Sequence, residues 1–294
     1  MNGVYENMNN SILKIDFQSV YYPEKLRGIP KPPQQLFCVG DISLLNEKSV
    51  GVVGSRKFTV YGKQVSMMIG RRLADSGIPV VSGLAYGIDA FAHQGTLQGN
   101  GKCIAVLGSG FNKMSPEKNK MLMKELLDEG GLVVSEYEPD FSAEPWTFPQ
   151  RNRIISGLSD ALIVVEANYN SGSLITAQHA NEQGRTVFSV PGNINSQFSL
   201  GSNLLIRDGA IPLVVVDDVI REVCGEVALH EEKTENLGPD EIKIINIVKK
   251  YNGITPDKLS EELNQKVSKI NAIVTIMEIK GVVEVYSGKI HLAK

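Results

Sequence analysis

The sequence predicts an α/β protein. It reads as an extended, Rossmann-like, doubly wound and mostly parallel sheet, followed by a small C-terminal winged-helix domain. Three observations predict this. From residue 49 onward, short β-branched runs alternate with helical stretches. Most of those runs are apolar on successive residues. A polar, aperiodic stretch at 225–238 then precedes a compact unit with three helical patterns and a hairpin pattern. Strand–helix alternation builds a doubly wound sheet, and continuous apolarity marks strands buried on both faces.

The elements follow in order. Residues 1–48 read as an irregular lead-in segment, because Tyr21-Tyr22-Pro23 and Gly28-Ile29-Pro30-Lys31-Pro32-Pro33 forbid a long helix. The Rossmann-like domain is expected over 49–224. Its strands are expected at Val50–Val53, Pro79–Ser82, Cys103–Leu107, Leu132–Ser135, Ala161–Glu166, Thr186–Val190 and Pro212–Val216, with helical patterns at Tyr61–Ser76, Pro116–Asp128 and Ser173–Gln183. Residues 225–238 read as a linker. In 239–294, Asp240–Tyr251 carries Ile244, Ile245 and Val248 on one face. Thr255–Leu263 opens on Thr-Pro, a cap followed by a first-turn proline. Lys266–Lys280 makes a third helix, and Val282–Tyr286 pairs with Lys289–Leu292 around Ser287-Gly288. Winged helices of this kind serve either DNA or a protein partner.

Composition narrows the function. The chain has 294 residues, 42% hydrophobic and 21% charged, which describes a globular protein. A net charge of −3 supplies no global basic signature, so binding to nucleic acid would need a local patch. Cys38, Cys103 and Cys224 are far apart and show no CxxC spacing, which speaks against a disulfide framework or zinc site and fits a reducing cytoplasm. The first residues lack the pattern of a signal peptide, and runs such as Ile211–Val216 are too short to span a bilayer, so no membrane partner is expected.

Three turns carry candidate chemistry. Gly51-Val52-Val53-Gly54-Ser55-Arg56 ends the first strand. There the glycines admit close approach, and Ser55 and Arg56 can bond a phosphate. Ser82-Gly83-Leu84-Ala85-Tyr86-Gly87-Ile88-Asp89 follows the second strand, and Gly83 again allows close approach. Asp89 and His93, spaced i and i+4, could form an acid–base or metal pair. The reading preferred is an acid at a helix N-terminus and a packed histidine, since no further His/Cys/Asp cluster completes a metal shell. The third and most informative stretch runs from Trp146 to Arg185. Phe148, Arg151, Asn152 and Arg153 precede the strand Ala161–Glu166, and Gly172 and Ser173 open a helix after it. Such a helix start suits a phosphate. The i, i+2 spacing of the arginines lets one reach the crevice while the other braces the fold, and Phe148 either stacks a base or plugs the core. Glu136 and Glu166 read as salt-bridge partners of arginines or as hydrolytic acids.

Taken together, these motifs resemble the DprA/Smf DNA-processing family. The resemblance rests on Gly54-Ser55-Arg56, Ser82-Gly83-Leu84-Ala85-x-Gly87-Ile88-Asp89, Phe148-Pro149-x-Arg151-Asn152-Arg153-Ile154-Ile155-Ser156-Gly157, Ser171-Gly172-Ser173-Leu174-Ile175-Thr176, Pro191-Gly192 and Gly201-Ser202-Asn203-x-Leu205-Ile206. It covers about 25–223. It implies single-stranded DNA binding without catalysis, homodimerisation, and loading of RecA recombinase during natural transformation and recombination. It assigns the basic pocket to Gly54, Ser55, Arg56, Phe148, Arg151, Asn152 and Arg153. Gly83, Gly172 and Ser173 join the candidate DNA site as ligand-ready backbone. Leu204, Leu205 and Ile206 become the candidate dimer contact, in a segment with more apolar surface than one helix–strand pair needs. No catalytic residue, metal ligand or cofactor is expected. Two departures stand out: the lead-in segment is short for the family's helical N-terminal domain, and Gly110–Pro116 replaces the usual Asp and Tyr-Pro after the third strand. The alternative is a Rossmann-like enzyme or sensor acting on a small nucleotide. Such proteins usually follow the comparable glycine turn with a glutamate, and here none occurs after Thr176 until Glu182. A pure protein-binding scaffold would leave the three turns unexplained.

Overall fold

The computed structural model describes residues 12–225, 238–251, 253–286 and 288–292. They divide at Gly225 into two compact units. In the first unit, nine strands form one sheet in the order β1-β2-β6-β5-β4-β3-β7-β8-β9. These are β1 (Leu13–Asp16), β2 (Gln35–Gly40), β3 (Val50–Val53), β4 (Val80–Ser82), β5 (Cys103–Leu107), β6 (Leu132–Ser135), β7 (Ala161–Val164), β8 (Thr186–Ser189) and β9 (Ile211–Pro212). The helices between them are α1 (Glu24–Arg27), α2 (Val60–Asp75), α3 (Ile88–Gln98), α4 (Lys120–Asp128), α5 (Thr147–Leu158), α6 (Gly172–Glu182), α7 (Leu200–Arg207) and α8 (Asp217–Cys224). From β3 onward every pairing within this set is parallel, which gives the mostly parallel, Rossmann-like sheet that the alternation predicts.

The strands are apolar on successive residues because both faces are covered. Along β5, Ile104 and Val106 join a core with Ile154, Ile155, Ala177 and Ala180 of α5 and α6. Cys103, Ala105 and Leu107 face the other way, onto Leu97, Met123 and Leu126 of α3 and α4. The chain leaves β3 towards β4, β5 and β6 on one side and later returns to lay β7 against its other side, with Val50 opposite Ala161 and Val53 opposite Val164. The strand order therefore reverses between β3 and β7. That is where an open α/β sheet leaves a crevice at its carboxyl edge.

Three expectations need correction. The lead-in segment is not irregular throughout: β2 pairs antiparallel with β6, and β1 antiparallel with β2. Its prolines sit between the two strands, and docking on β6 buries Leu36 and Cys38. The strand expected at Pro212–Val216 shrinks to Ile211–Pro212. After Leu213 donates its N–H to the Ser189 carbonyl (2.9 Å) the chain leaves the sheet, with Val214 79% exposed, and α8 begins at Asp217. Phe148–Arg153, read as a segment before a strand, lies inside α5.

In the second unit, helices Pro239–Tyr251, Pro256–Leu263 and Val267–Ile279 precede a hairpin of β10 (Val283–Tyr286) and β11 (Lys289–Leu292). Ile244, Ile245, Val248, Leu259, Ile270, Met277 and Ile290 share its core. Thr255 accepts from the Lys258 N–H, and Pro256 fills the first turn behind that cap. Most of the expected linker, the first eleven residues and Ser287 of the hairpin turn lie outside the described residues.

Candidate functional site

A cleft of about 730 Å³ opens at the strand reversal. One wall is the turn after β3, with Gly54, Ser55, Arg56 and Lys57. The other is the turn after β7 with the start of α6, where Asn168, Asn170, Ser171, Gly172 and Ser173 line the space. Phe148, Arg151 and Asn152 of α5 close it from the side. Eight of the ten expected site residues thus meet around one cavity.

Hydrogen bonds hold these walls in place. The Ser55 N–H donates to the Glu166 carbonyl (2.7 Å), tying the β3 turn to the end of β7. The Glu166 carboxylate accepts from the Thr59 N–H (2.9 Å) and hydroxyl (2.6 Å), and Thr59 caps α2. Glu166 is therefore a buried brace of the turn and not, as expected, a partner of arginine. On the facing wall, Ser171 caps α6 by accepting from the Ser173 N–H, and the Asn152 amide donates to the Gly172 carbonyl (3.2 Å). A Cβ on Gly172 would meet nothing within 4 Å, so this turn presents bare backbone to the cleft.

The two arginines of α5 part company. Arg151 lines the cleft yet is buried. Its Nη1 donates to the Gly83 carbonyl (2.7 Å) and to the Val106 carbonyl, closing the ends of β4 and β5. Gly83 lies beneath it and outside the cleft wall: a Cβ there would fall 2.5 Å from Arg151 Nη2, so only glycine leaves room for the guanidinium. Asp89 supplies the counter-charge. It accepts from the N–H groups of Gly54 (3.4 Å) and Gly83 (3.1 Å). Burial pushes its carboxyl above the usual range, opposed by Arg151 and the surrounding amides. Burial likewise lowers Arg151 to about 10, while Asp89 works to raise it. Arg153 points elsewhere. It pairs with Glu136 (2.7 Å) and donates to the carbonyls of Lys31 (2.9 Å) and Gln150 (2.9 Å), pinning α5 to the segment between α1 and β2.

Arg56 differs from both. It is exposed at the mouth, with its guanidinium carbon 4.9 Å from the centre of the Phe148 ring. Asp89 and His93 form no acid–base pair. The Asp89 oxygens serve the glycine turns, and both His93 ring nitrogens are buried without a hydrogen-bond partner among the described residues. Burial, helped by Arg151, pulls His93 down to about 3, so it is neutral near pH 7. Lys57, Asn168 and Asn170 were not singled out from the sequence. The available signal was position, since they flank the two turns that were.

Of the candidate dimer residues, Leu204, Leu205 and Ile206 are all half-buried on α7, and Leu205 packs against the main core. Among the described residues no helix is long and apolar enough to cross a membrane.

The family profile described as DNA recombination-mediator protein A matches residues 14–224. Protein Smf of Escherichia coli is 41% identical over 225 residues, covering 76% of this chain and 59% of that protein, so the chain spans little more than half of this relative's length. Among solved structures, DNA processing protein A of Streptococcus pneumoniae aligns with a TM-score of 0.68 at 39% identity, covering 72% of this chain and 75% of that one. DNA processing protein A of Helicobacter pylori, whose structure was described for its single-stranded DNA binding mode, aligns at 0.64 and 30% identity over 73% and 95% of the two chains. With the profile covering most of its length, the chain belongs to the DNA recombination-mediator protein A family.

Proposed function

We propose that the protein binds single-stranded DNA in the cleft between the β3 and β7 turns. On this reading it acts in the cytoplasm as a homodimer and promotes RecA loading during natural transformation and recombination. One observation carries the binding reading: an exposed guanidinium stacked on an aromatic ring at the mouth of a cleft floored by backbone turns. A single strand alternates phosphates with aromatic faces, and cation plus ring meets both. The RecA and dimer parts rest on family membership, and Ile206 on α7 is the side chain to test. Residues 239–294 read as a winged-helix module separate from this binding.

Binding without catalysis fits the duties of the carboxylates. Asp89 holds the Gly54 and Gly83 amides, Glu166 holds Thr59, and Glu136 holds Arg153 through Oε1 and is not among the cleft-lining residues, so none of these three is placed to serve as a base there. Titration by fluorescence anisotropy against single-stranded, duplex and mononucleotide ligands tests the proposal. The expected order is single strand well ahead of both others. Tightest binding to a mononucleotide, or its turnover seen by chromatography, refutes the proposal and promotes the small-nucleotide reading. Light scattering should find a dimer that Ile206→Glu converts to monomer.

A further inference from the structure

Two aromatic clusters flank the cleft, and their charge distinguishes them. The first continues directly from the cleft walls. Lys57 and Ala85 line the space, and the residues that follow them, Phe58 and Tyr86, meet with ring centroids 5.9 Å apart. Phe58 is held edge-on against Phe91 of α3 (4.7 Å, 83°), while Tyr86 remains 52% exposed. Lys63, on the first turn of α2, lies 5.1 Å from the centre of the Phe91 ring. The second cluster stands beyond the start of α5. There Tyr137 stacks on Phe141 (4.7 Å, 15°) with Trp146 edge-on to both. Its chain carries the exposed acids Glu138, Asp140 and Glu144, and Glu144 reaches the cleft wall.

We propose that Phe58 and Tyr86, with Lys57 and Lys63, form a second base-stacking platform. The nucleotides next to those in the cleft run over it, so the strand leaves on this side and not past Trp146. The inference rests on the single-strand reading above. Rings supply stacking that tolerates any base, and flanking cations follow the phosphates. Acidic groups repel a polyanion, so the Trp146 side is the unfavourable exit. Packing explains Phe58, whose edge meets Phe91, but it does not require a half-exposed tyrosine beside it.

The experiment measures the affinity of the full chain for oligothymidylates of stepwise increasing length. Native protein should show a rise in affinity once the oligomer outgrows the cleft. Tyr86→Ala should remove that rise, roughly tenfold for one stacked base, while leaving the shortest binding oligomers unaffected. Tyr86→Phe should retain it, and Lys63→Ala should flatten the salt dependence for long oligomers only. Tyr86 is solvent-facing, so its variants are expected to fold, and an unchanged melting temperature checks this. A length-dependent rise that survives Tyr86→Ala and the Phe58→Ala/Tyr86→Ala double variant, or one lost in Trp146→Ala instead, overturns the platform. Arg56→Ala separates the two ideas: if it leaves even the shortest oligomers bound as tightly as before, the cleft reading itself fails.

Discussion

Replacing Arg56 with alanine should separate binding from folding. The side chain is exposed, its guanidinium stacks on Phe148 at 4.9 Å, and it pairs with no carboxylate among the described residues. Its removal leaves no buried group unpaired, so stability should stay within about 0.5 kcal/mol, as for other surface changes. The binding loss is larger. A hydrogen bond to a charged group contributes about 1.5–3 kcal/mol, and about 1.4 kcal/mol corresponds to tenfold, so the affinity for a single strand should fall about 10- to 150-fold. One phosphate contact fewer should also reduce the slope of log affinity against log salt by about 0.7. Anisotropy titrations of an oligothymidylate at several salt concentrations measure both quantities, and thermal melting checks the fold. A well-folded Arg56→Ala protein with native affinity and native salt slope would refute the assignment.

Three further outcomes follow from the same geometry. Arg151→Ala leaves the buried Asp89 carboxylate without its counter-charge and the Gly83 and Val106 carbonyls without this donor, and should cost about 3–5 kcal/mol. Arg153→Ala, which frees Glu136, should also melt lower; but only the Arg151 variant should lose affinity at temperatures where it remains folded, and equal binding losses would contradict the separation of roles. His93 has a folded-state value near 3 against an ordinary 6.5, so its contribution is complete above pH 6.5 and is lost as pH falls towards 3. Stability should decline by up to about 1.4 kcal/mol per pH unit across that window, and His93→Leu should flatten the decline in urea titrations run between pH 4.5 and 7.5. A chain ending at Gly225 should fold and keep its affinity for single strands; loss of binding with the fold intact would show that the second unit takes part in the site.

Legibility differed by element. The central strands could be read because burial on both faces leaves a continuous apolar run, and β3, β5 and β6 begin and end where that run does. The strands β1 and β2 were missed because the partner of β2, β6, lies some hundred residues away, β1 has only β2 to pair with, and the connection between them is proline-rich. Helix α5 was missed because its polar residues, Arg151, Asn152 and Arg153, are buried in company and break the amphipathic pattern that marks a surface helix. Glu166 looked like an arginine's partner in sequence, yet β7 delivers it to Thr59 instead.

By itself the sequence determined the α/β class, the turns at strand ends and the residue types those turns offer, since all of these follow from local periodicity and backbone chemistry. Only the tertiary structure decided which turns share a cleft. That depends on β7 returning to lie beside β3, a pairing between residues more than a hundred positions apart. It also decided which arginine is free. Arg56, Arg151 and Arg153 are chemically alike in the sequence. Once folded, Arg151 closes strand ends and Arg153 holds Glu136, leaving Arg56 on the Phe148 ring at the mouth. A guanidinium's role is set by the acceptors the fold brings within reach, and local sequence does not encode them.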